Sequence, residues 1–381
     1  MDPGVDGAGP SCTTATLPLI GQELDAPTIE DILDRTLVEA PWMATRLREV
    51  LATLPPESLR LFRSVTGVVI GTLRPSFYAP VTGAIYLDSL YFGSSSGQLG
   101  DVDAETSDYR AGFGEALQFH IPARYVLAGT VLGSGKLSLG TRKGSDLLAA
   151  LLLYHEVTHA VDFFPPDRIA AVDRGTPIDE VRFTGERISD ELRVNHPLSS
   201  RILRDTAAVR YLGEAPTRSE LEVTPEEAGY AFSLDGAVDW YAYATQFEDL
   251  AMAHEALWAH FALGLERDVI VLPNQIAPDA TCEDVPVAWG QRNRVAAPEV
   301  AHRLRRVLHR LVPELALVLK EHLSQMAPPS DVLPGSNACE LHFSDGSTSI
   351  HGSGTQTVLQ GAVAHGRPAI HVHEGRVLAL E

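Results

Sequence analysis

Read for the spacing of apolar and polar positions, the chain changes period near residue 67. From residue 27 to 66 apolar side chains recur every three to four residues, the period of an α-helix. Thr28–Ala40 and Pro41–Leu54 both fit. Thr28 with the acidic residues after it has the form of a helix cap, and Pro41 stands where a helix can start. A third, short helix, Glu57–Ser64, follows Pro55-Pro56. From Gly67 short apolar runs bounded by turn residues take over. Gly67–Thr72 and Ala84–Asp88 read as strands, and Phe77–Leu87 (FYAPVTGAIYL) as a strand, a Pro/Gly turn and a second strand. Gly93–Asp108 reads as a polar loop, and Tyr125–Leu139, broken by Gly133 and Gly135, as a hairpin.

Leu147–Phe164 (LLAALLLYHEVTHAVDFF) then carries a long apolar run into a cluster of polar residues. Ser145 is placed to cap this helix, and Pro165-Pro166 to end it. Asp167–Pro197 reads as loops with one helix. Pro197–Leu212, Pro225–Leu234 and Tyr241–Leu265 are helical, Asp268–Leu272 is a short β run and Pro273–Gln291 is irregular. Pro298–Gln325 is a single amphipathic helix whose Arg303, Arg305, Arg306 and Arg310 form a solvated face. A Pro/Ser/Gly linker, Met326–Asn337, leads to short strands in Glu340–Glu381, with Asp345-Gly346 and Glu374-Gly375 as hairpin turns. The expected class is α+β. Residues 1–26 form a disordered tail and 27–66 an N-terminal helical region; 67–330 are a catalytic domain with helical insertions, and 338–381 a small β element.

The chain's 381 residues, 45% hydrophobic and 21% charged, are ordinary for a globular protein with an ample core. Its formal net charge of −20 argues against a nucleic-acid partner and against an anionic membrane surface. No apolar run reaches the roughly 18–20 residues that span a bilayer. The first residues, MDPGVDGAGPSCTT, have neither the basic nor the apolar part of a signal peptide. Cys12 lies in that tail, and Cys282 and Cys339 could pair in an oxidising compartment. An exported location, whether periplasmic, lipid-anchored or secreted, is preferred over a cytoplasmic one.

The chemistry concentrates in His155-Glu156-Val157-Thr158-His159. Residues four apart share one face of a helix, so both imidazoles can grip one metal ion. Glu156 beside them can take a proton from water held at that ion. Zinc suits the pair, because imidazole binds it well and catalytic sites keep a position open. A core helix can hold one satisfied histidine; two histidines and a glutamate are costly to bury without a role. Catalytic zinc usually has three protein ligands, and the Gly and third His of the extended H-E-x-x-H-x-x-G-x-x-H motif are missing after His159. The third ligand must come from further on. Glu248 is the best candidate, on an otherwise apolar helix two turns before Glu255; His254, Glu255 and His260 are rivals. Asp162, Asp249 and Glu255 could hydrogen-bond the ligands from behind. His371 and His373 alternate on a strand and share one face; two exposed histidines are preferred there over a second metal site.

HEVTHAVDFF resembles the metal helix of the gluzincin branch of zinc peptidases, within it the group that includes the catalytic domain of anthrax lethal factor. Those proteins take their third ligand from a downstream helix of the type E-x-x-A-E, with a Tyr seven residues before that Glu. Here Glu248-Asp249-Leu250-Ala251 matches the first part, and Tyr241 stands seven residues ahead; Tyr243 is the fallback. Met252 occupies the position of the second Glu, and the stretch between His159 and Glu248 is long. FYAPVTGAIYL is similar to the strand region that often precedes the motif, where an extended strand holds the substrate backbone; Ala84–Leu87 is the expected segment. The resemblance implies a zincin-like core and a zinc-dependent endopeptidase acting on a peptide or protein substrate. His155, His159 and Glu248 would hold zinc, Glu156 would be the general base and Tyr241 the oxyanion donor. The alternatives are a latent or narrow-specificity peptidase, perceptible as activity only after removal of residues 1–66, and a non-catalytic binding or scaffold protein.

Overall fold

Thr28 caps helix α1 (Ile29–Leu33): its hydroxyl accepts the Asp31 amide while the Asp31 carboxylate accepts the Thr28 amide. The computed structural model describes residues 13–73, 75–93, 112–130, 142–181, 187–274, 282–332, 336–337, 371–373 and 376–378. α1 ends after one turn, and Thr36–Val38 is not its continuation but strand β1. β-Branched Thr36 and Val38 suit the extended chain, which lies parallel to β2 (Gly67–Gly71) with Leu37 opposite Val69. Helix α2 (Pro41–Leu51) starts on Pro41, and Pro56–Ser64 is a 3-10 helix.

β3 (Phe77–Ala79) and β4 (Ala84–Asp88) complete a sheet of order β1-β2-β4-β3, parallel except for the β3–β4 hairpin. This overturns the substrate-strand role expected for Ala84–Leu87. β4 lies inside the sheet, paired with β2 along its length and with β3 through Ala84–Tyr86, so its backbone groups are already taken. β3 is the edge. A second sheet forms around β7 (Leu265–Pro273). β5 (Phe119–His120) and β6 (Ala123–Leu127) both pair antiparallel with one side of β7, separated at Pro122, which lacks an N–H. β8 (Trp289–Arg292) and β9 (Ser330–Asp331) continue the other side. Of the expected Tyr125–Leu139 hairpin, Tyr125–Leu127 are the end of β6, whose partner is β7.

The remaining α-helices of eight or more residues are α3 (Arg142–Phe163), α4 (Ile188–Asn195), α5 (Arg201–Leu212), α6 (Pro225–Ser233), α7 (Gln246–Leu263), α8 (Pro298–Leu311) and α9 (Ala316–Gln325). α3, which carries the HEVTH sequence, is buried almost without interruption from Leu148 to Phe163. Its apolar run demands cover on every face. Leu152 and Val157 share one cluster with Leu19, Ile20, Ile32 and Leu47, with Ile70 and Ile85 of the first sheet, and with Leu257 and Leu304 of α7 and α8. The Tyr154 ring stacks on Trp258 of α7 at 4.8 Å. A second cluster joins β5 and β7 to α5, α6 and the turn at Trp240–Tyr243.

Three expected helix boundaries move. Ser145 lies within α3, with its hydroxyl 3.4 Å from the Gly93 carbonyl, and does not cap it. Tyr241–Leu265 is not one helix: Trp240–Tyr243 is a 3-10 turn, Thr245 caps α7, and Gly264 (φ 62°) ends it in the left-handed conformation that glycine adopts without a Cβ clash. Pro298–Gln325 breaks into α8 and α9 at Val312-Pro313, since proline disfavours helical backbone at the residue before it. The cationic face there is only partly solvated. Arg306 is exposed, but Arg303 is buried against Asp249 and the carbonyls of His196 and Gly236. Towards the C-terminal end β10 (His371–His373) and β11 (Arg376–Leu378) pair antiparallel, and the expected turn residues Glu374-Gly375 lie outside the described residues. Cys12, Cys339, Gly133, Gly135, Asp345-Gly346 and nearly all of Gly93–Asp108 lie outside the described residues, and with Cys339 goes the Cys282 pairing. No described helix is long and apolar enough to cross a membrane.

Candidate metal centre

The centre is built between α3 and α7. Four-residue spacing sets His155 and His159 on the face of α3 that meets α7. Thr245 places the third group: its hydroxyl accepts the Glu248 amide at 3.2 Å, fixing Glu248 in the first turn of α7. There the partial positive charge of the helix start favours a carboxylate. His155 Nε2 lies 3.0 Å from His159 Nε2 and 2.9 Å from Glu248 Oε2, and His159 Nε2 lies 3.5 Å from the same oxygen. Among the described residues this is the one group of three or more His, Cys, Asp or Glu with ligand atoms so convergent.

The triangle fits a metal ion. Glu255 Oε2 sits 2.7 Å from His155 Nδ1, which donates to it; Nε2 is then left with its lone pair toward the triangle. Three electron-rich atoms thus face one point and call for a cation. Tetrahedral zinc, with bonds of about 2.0–2.2 Å, sets neighbouring ligands about 3.3 Å apart, close to the spacing seen. His155 is fully buried, whereas His159 and Glu248 keep 8% and 7% exposure, so of the three only these two touch solvent.

Charge within this pocket follows from burial. Burial alone would lower the His155 pKa; the hydrogen bonds and charges of Glu248 and Glu255 outweigh it and raise it to about 10. Burial likewise works against ionised Glu248, but the His159 charge and the bonds to both histidines hold its pKa well below the usual carboxylate range. Glu156 is fully buried. Burial pushes its pKa up to about 7, with Glu248 and Glu255 adding to the shift and both histidines opposing it.

The other candidates separate cleanly. Glu255 backs His155 and also accepts the Tyr125 hydroxyl at 2.9 Å on its other oxygen. Tyr241 is buried on the 3-10 turn with its ring 6.4 Å from that of His155, and it meets Tyr211 edge-on. Tyr243 points elsewhere, donating to Asp235 at 3.0 Å. Asp162 accepts the Ser189 amide and hydroxyl, and Asp249 is held by Arg303, so these two tie helices together instead of reaching the ligand rings. His254 is engaged on both nitrogens, by the Thr158 hydroxyl at 2.7 Å and the Trp258 indole at 2.8 Å, and burial lowers its pKa to about 3. His260 pairs with His322 at 2.9 Å.

Sequence reading missed Tyr125, Asp239 and Arg267, which stand behind Glu255 and Tyr241. Only Asp239 had a local signal, as an acidic residue opening the Trp240–Tyr243 turn. Neither family models, curated proteins nor solved structures offer a match to this chain.

Proposed function

We propose that this protein is a zinc-dependent endopeptidase on a zincin-like α+β core. One observation carries the reading: His155, His159 and Glu248 converge on a single point from two helices, and the buried Glu156 carboxyl is coupled by charge to all three. The ion, when bound, supplies Lewis acidity, lowering the pKa of water and polarising a carbonyl. Glu156 takes a proton from the attacking water and returns it to the leaving amine, so the base is regenerated as the peptide bond breaks. Tyr241 donates its hydroxyl hydrogen bond to the oxyanion that forms. Glu255 keeps the His155 ring oriented with Nε2 inward.

Elemental analysis of wild-type protein beside Glu248→Ala and Glu255→Ala tests the ligand set, and cleavage of a peptide library tests the reaction. About one zinc per chain in wild type, lost in Glu248→Ala and retained more weakly in Glu255→Ala, supports the reading. Zinc kept by Glu248→Ala would sink the ligand assignment. A wild type that takes up zinc but turns over no peptide would favour a non-catalytic binding protein.

A further inference from the structure

We infer that Asp239 and Arg267 are positioning residues, locking the turn that carries Tyr241 to the glutamate that orients His155. The inference rests on the peptidase reading for the role of Tyr241, but its link to the metal ligand is independent of turnover.

The Asp239 carboxylate is divided between two tasks. Its Oδ1 accepts the Tyr241 amide at 2.9 Å and so opens the Trp240–Tyr243 turn. Its Oδ2 accepts Arg267 Nε at 2.8 Å and also Arg267 Nη2. Arg267 reaches onward: its Nη1 is 3.7 Å from Glu255 Oε1, the oxygen that accepts the Tyr125 hydroxyl. The guanidinium lies 4.8 Å over the Tyr125 ring, and the two residues face each other across the β6–β7 ladder. Glu255 completes the line by holding His155 Nδ1. Asp239, Arg267, Glu255 and Tyr125 are all at most 4% exposed.

Two carboxylates and one guanidinium in a dry interior leave little freedom. Two Arg267 donors hold one Asp239 oxygen while the other holds the Tyr241 amide, and neither carboxylate can swing away without leaving a buried charge unpaired. The Tyr241 backbone and the His155 ring are therefore set by one rigid unit anchored on β7. Loosening it should disturb both ends at once.

The test uses the full chain with Asp239→Asn and Arg267→Lys. Asparagine keeps an acceptor for the Tyr241 amide but gives up the charge that holds Arg267; lysine keeps the charge and loses the fork. Three properties are read: Co²⁺ affinity, the visible absorption bands of the Co²⁺ form, and kcat and KM on the best library peptide. Both variants are expected to weaken Co²⁺ binding about 10–100-fold and to shift its bands. In Asp239→Asn, kcat should fall about tenfold or more while KM stays within about threefold, and most of that loss should vanish in a Tyr241→Phe background, where the hydroxyl to be positioned is gone. Unchanged Co²⁺ affinity and bands in a folded variant would overturn the inference, and so would a kcat loss of the same size with Phe at position 241. Should Asp239→Asn fail to fold, Arg267→Lys decides. Wild type that binds Co²⁺ yet cleaves nothing would sink the peptidase reading alone, and the affinity and spectrum of the two variants would then settle the positioning role.

Discussion

At the scale of single residues, the centre is a place where negative charge is collected and needs a cation. In metal-free protein a proton on His155 meets that need, because Glu248 and Glu255 raise its pKa to about 10 against burial. An arriving metal ion must displace it. At pH 7 uptake should release about one proton per ion, and affinity should climb with pH until about pH 10. Calorimetry in buffers of different ionisation enthalpy reads this directly; no proton release would mean that His155 is already neutral. Glu156 behaves differently. Its pKa rises from an ordinary 4.5 to about 7, so the folded state prefers it neutral, and its contribution to stability is full below pH 4.5 and lost as pH rises through about 7. Glu156→Gln removes that penalty. The metal-free variant should melt higher than wild type above pH 7 and alike below pH 4.5, while its metal-loaded form binds zinc and hydrolyses nothing. Thermal melts across pH 4–8 check the first half.

At the scale of elements, the decisive feature is where α7 begins. A helix running unbroken from Tyr241 would carry the tyrosine and Glu248 as one rod. Instead Asp239 and Thr245 each cap a separate segment, and the tyrosine rides on its own turn. Thr245→Ala should cost about 1 kcal/mol by leaving amides of the first turn without an acceptor. It should also weaken metal binding, since Glu248 sits on that turn. Denaturant titration and metal titration measure the two losses, and a stability loss with unchanged metal affinity would show that Glu248 is held by the triangle and not by the cap. The β1 segment makes a related point. Thr36–Val38 follows a good helical pattern in sequence, yet β2 offers a partner strand that local spacing cannot reveal.

For the whole molecule, the N-terminal residues are not a removable cap. β1 is a strand of the first sheet, and Leu19, Ile20, Ile32, Leu47, Leu51 and Phe62 are buried in the cluster that contains α3. Losing even one such side chain costs about 2–5 kcal/mol, and a domain holds only about 5–15 in total. Deleting residues 1–66 should therefore abolish cooperative unfolding by circular dichroism, not unmask latent activity. A truncated chain that melts cooperatively and cleaves peptides would restore the latent reading.

What the sequence determined by itself was local. The period of the apolar run around HEVTH, the Thr28 cap, the Pro41 start and the β3–β4 turn all depend on neighbours within a few residues, and each is legible there. The i,i+4 spacing of His155 and His159 belongs to the same class. Glu248 ranks first in the sequence, but what brings it, and neither His254 nor His260, beside the histidines is the packing of α7 on α3, because all of them lie on one helix and only its rotation decides which faces the pair. His254 was absorbed by Thr158 and Trp258. The line from Asp239 through Arg267 to Glu255 joins three successive elements, the 3-10 turn, β7 and α7, at separations that follow neither a helical nor a strand period, so no spacing announces it. Tertiary structure decided it, because a buried carboxylate must find its partner wherever the fold brings one.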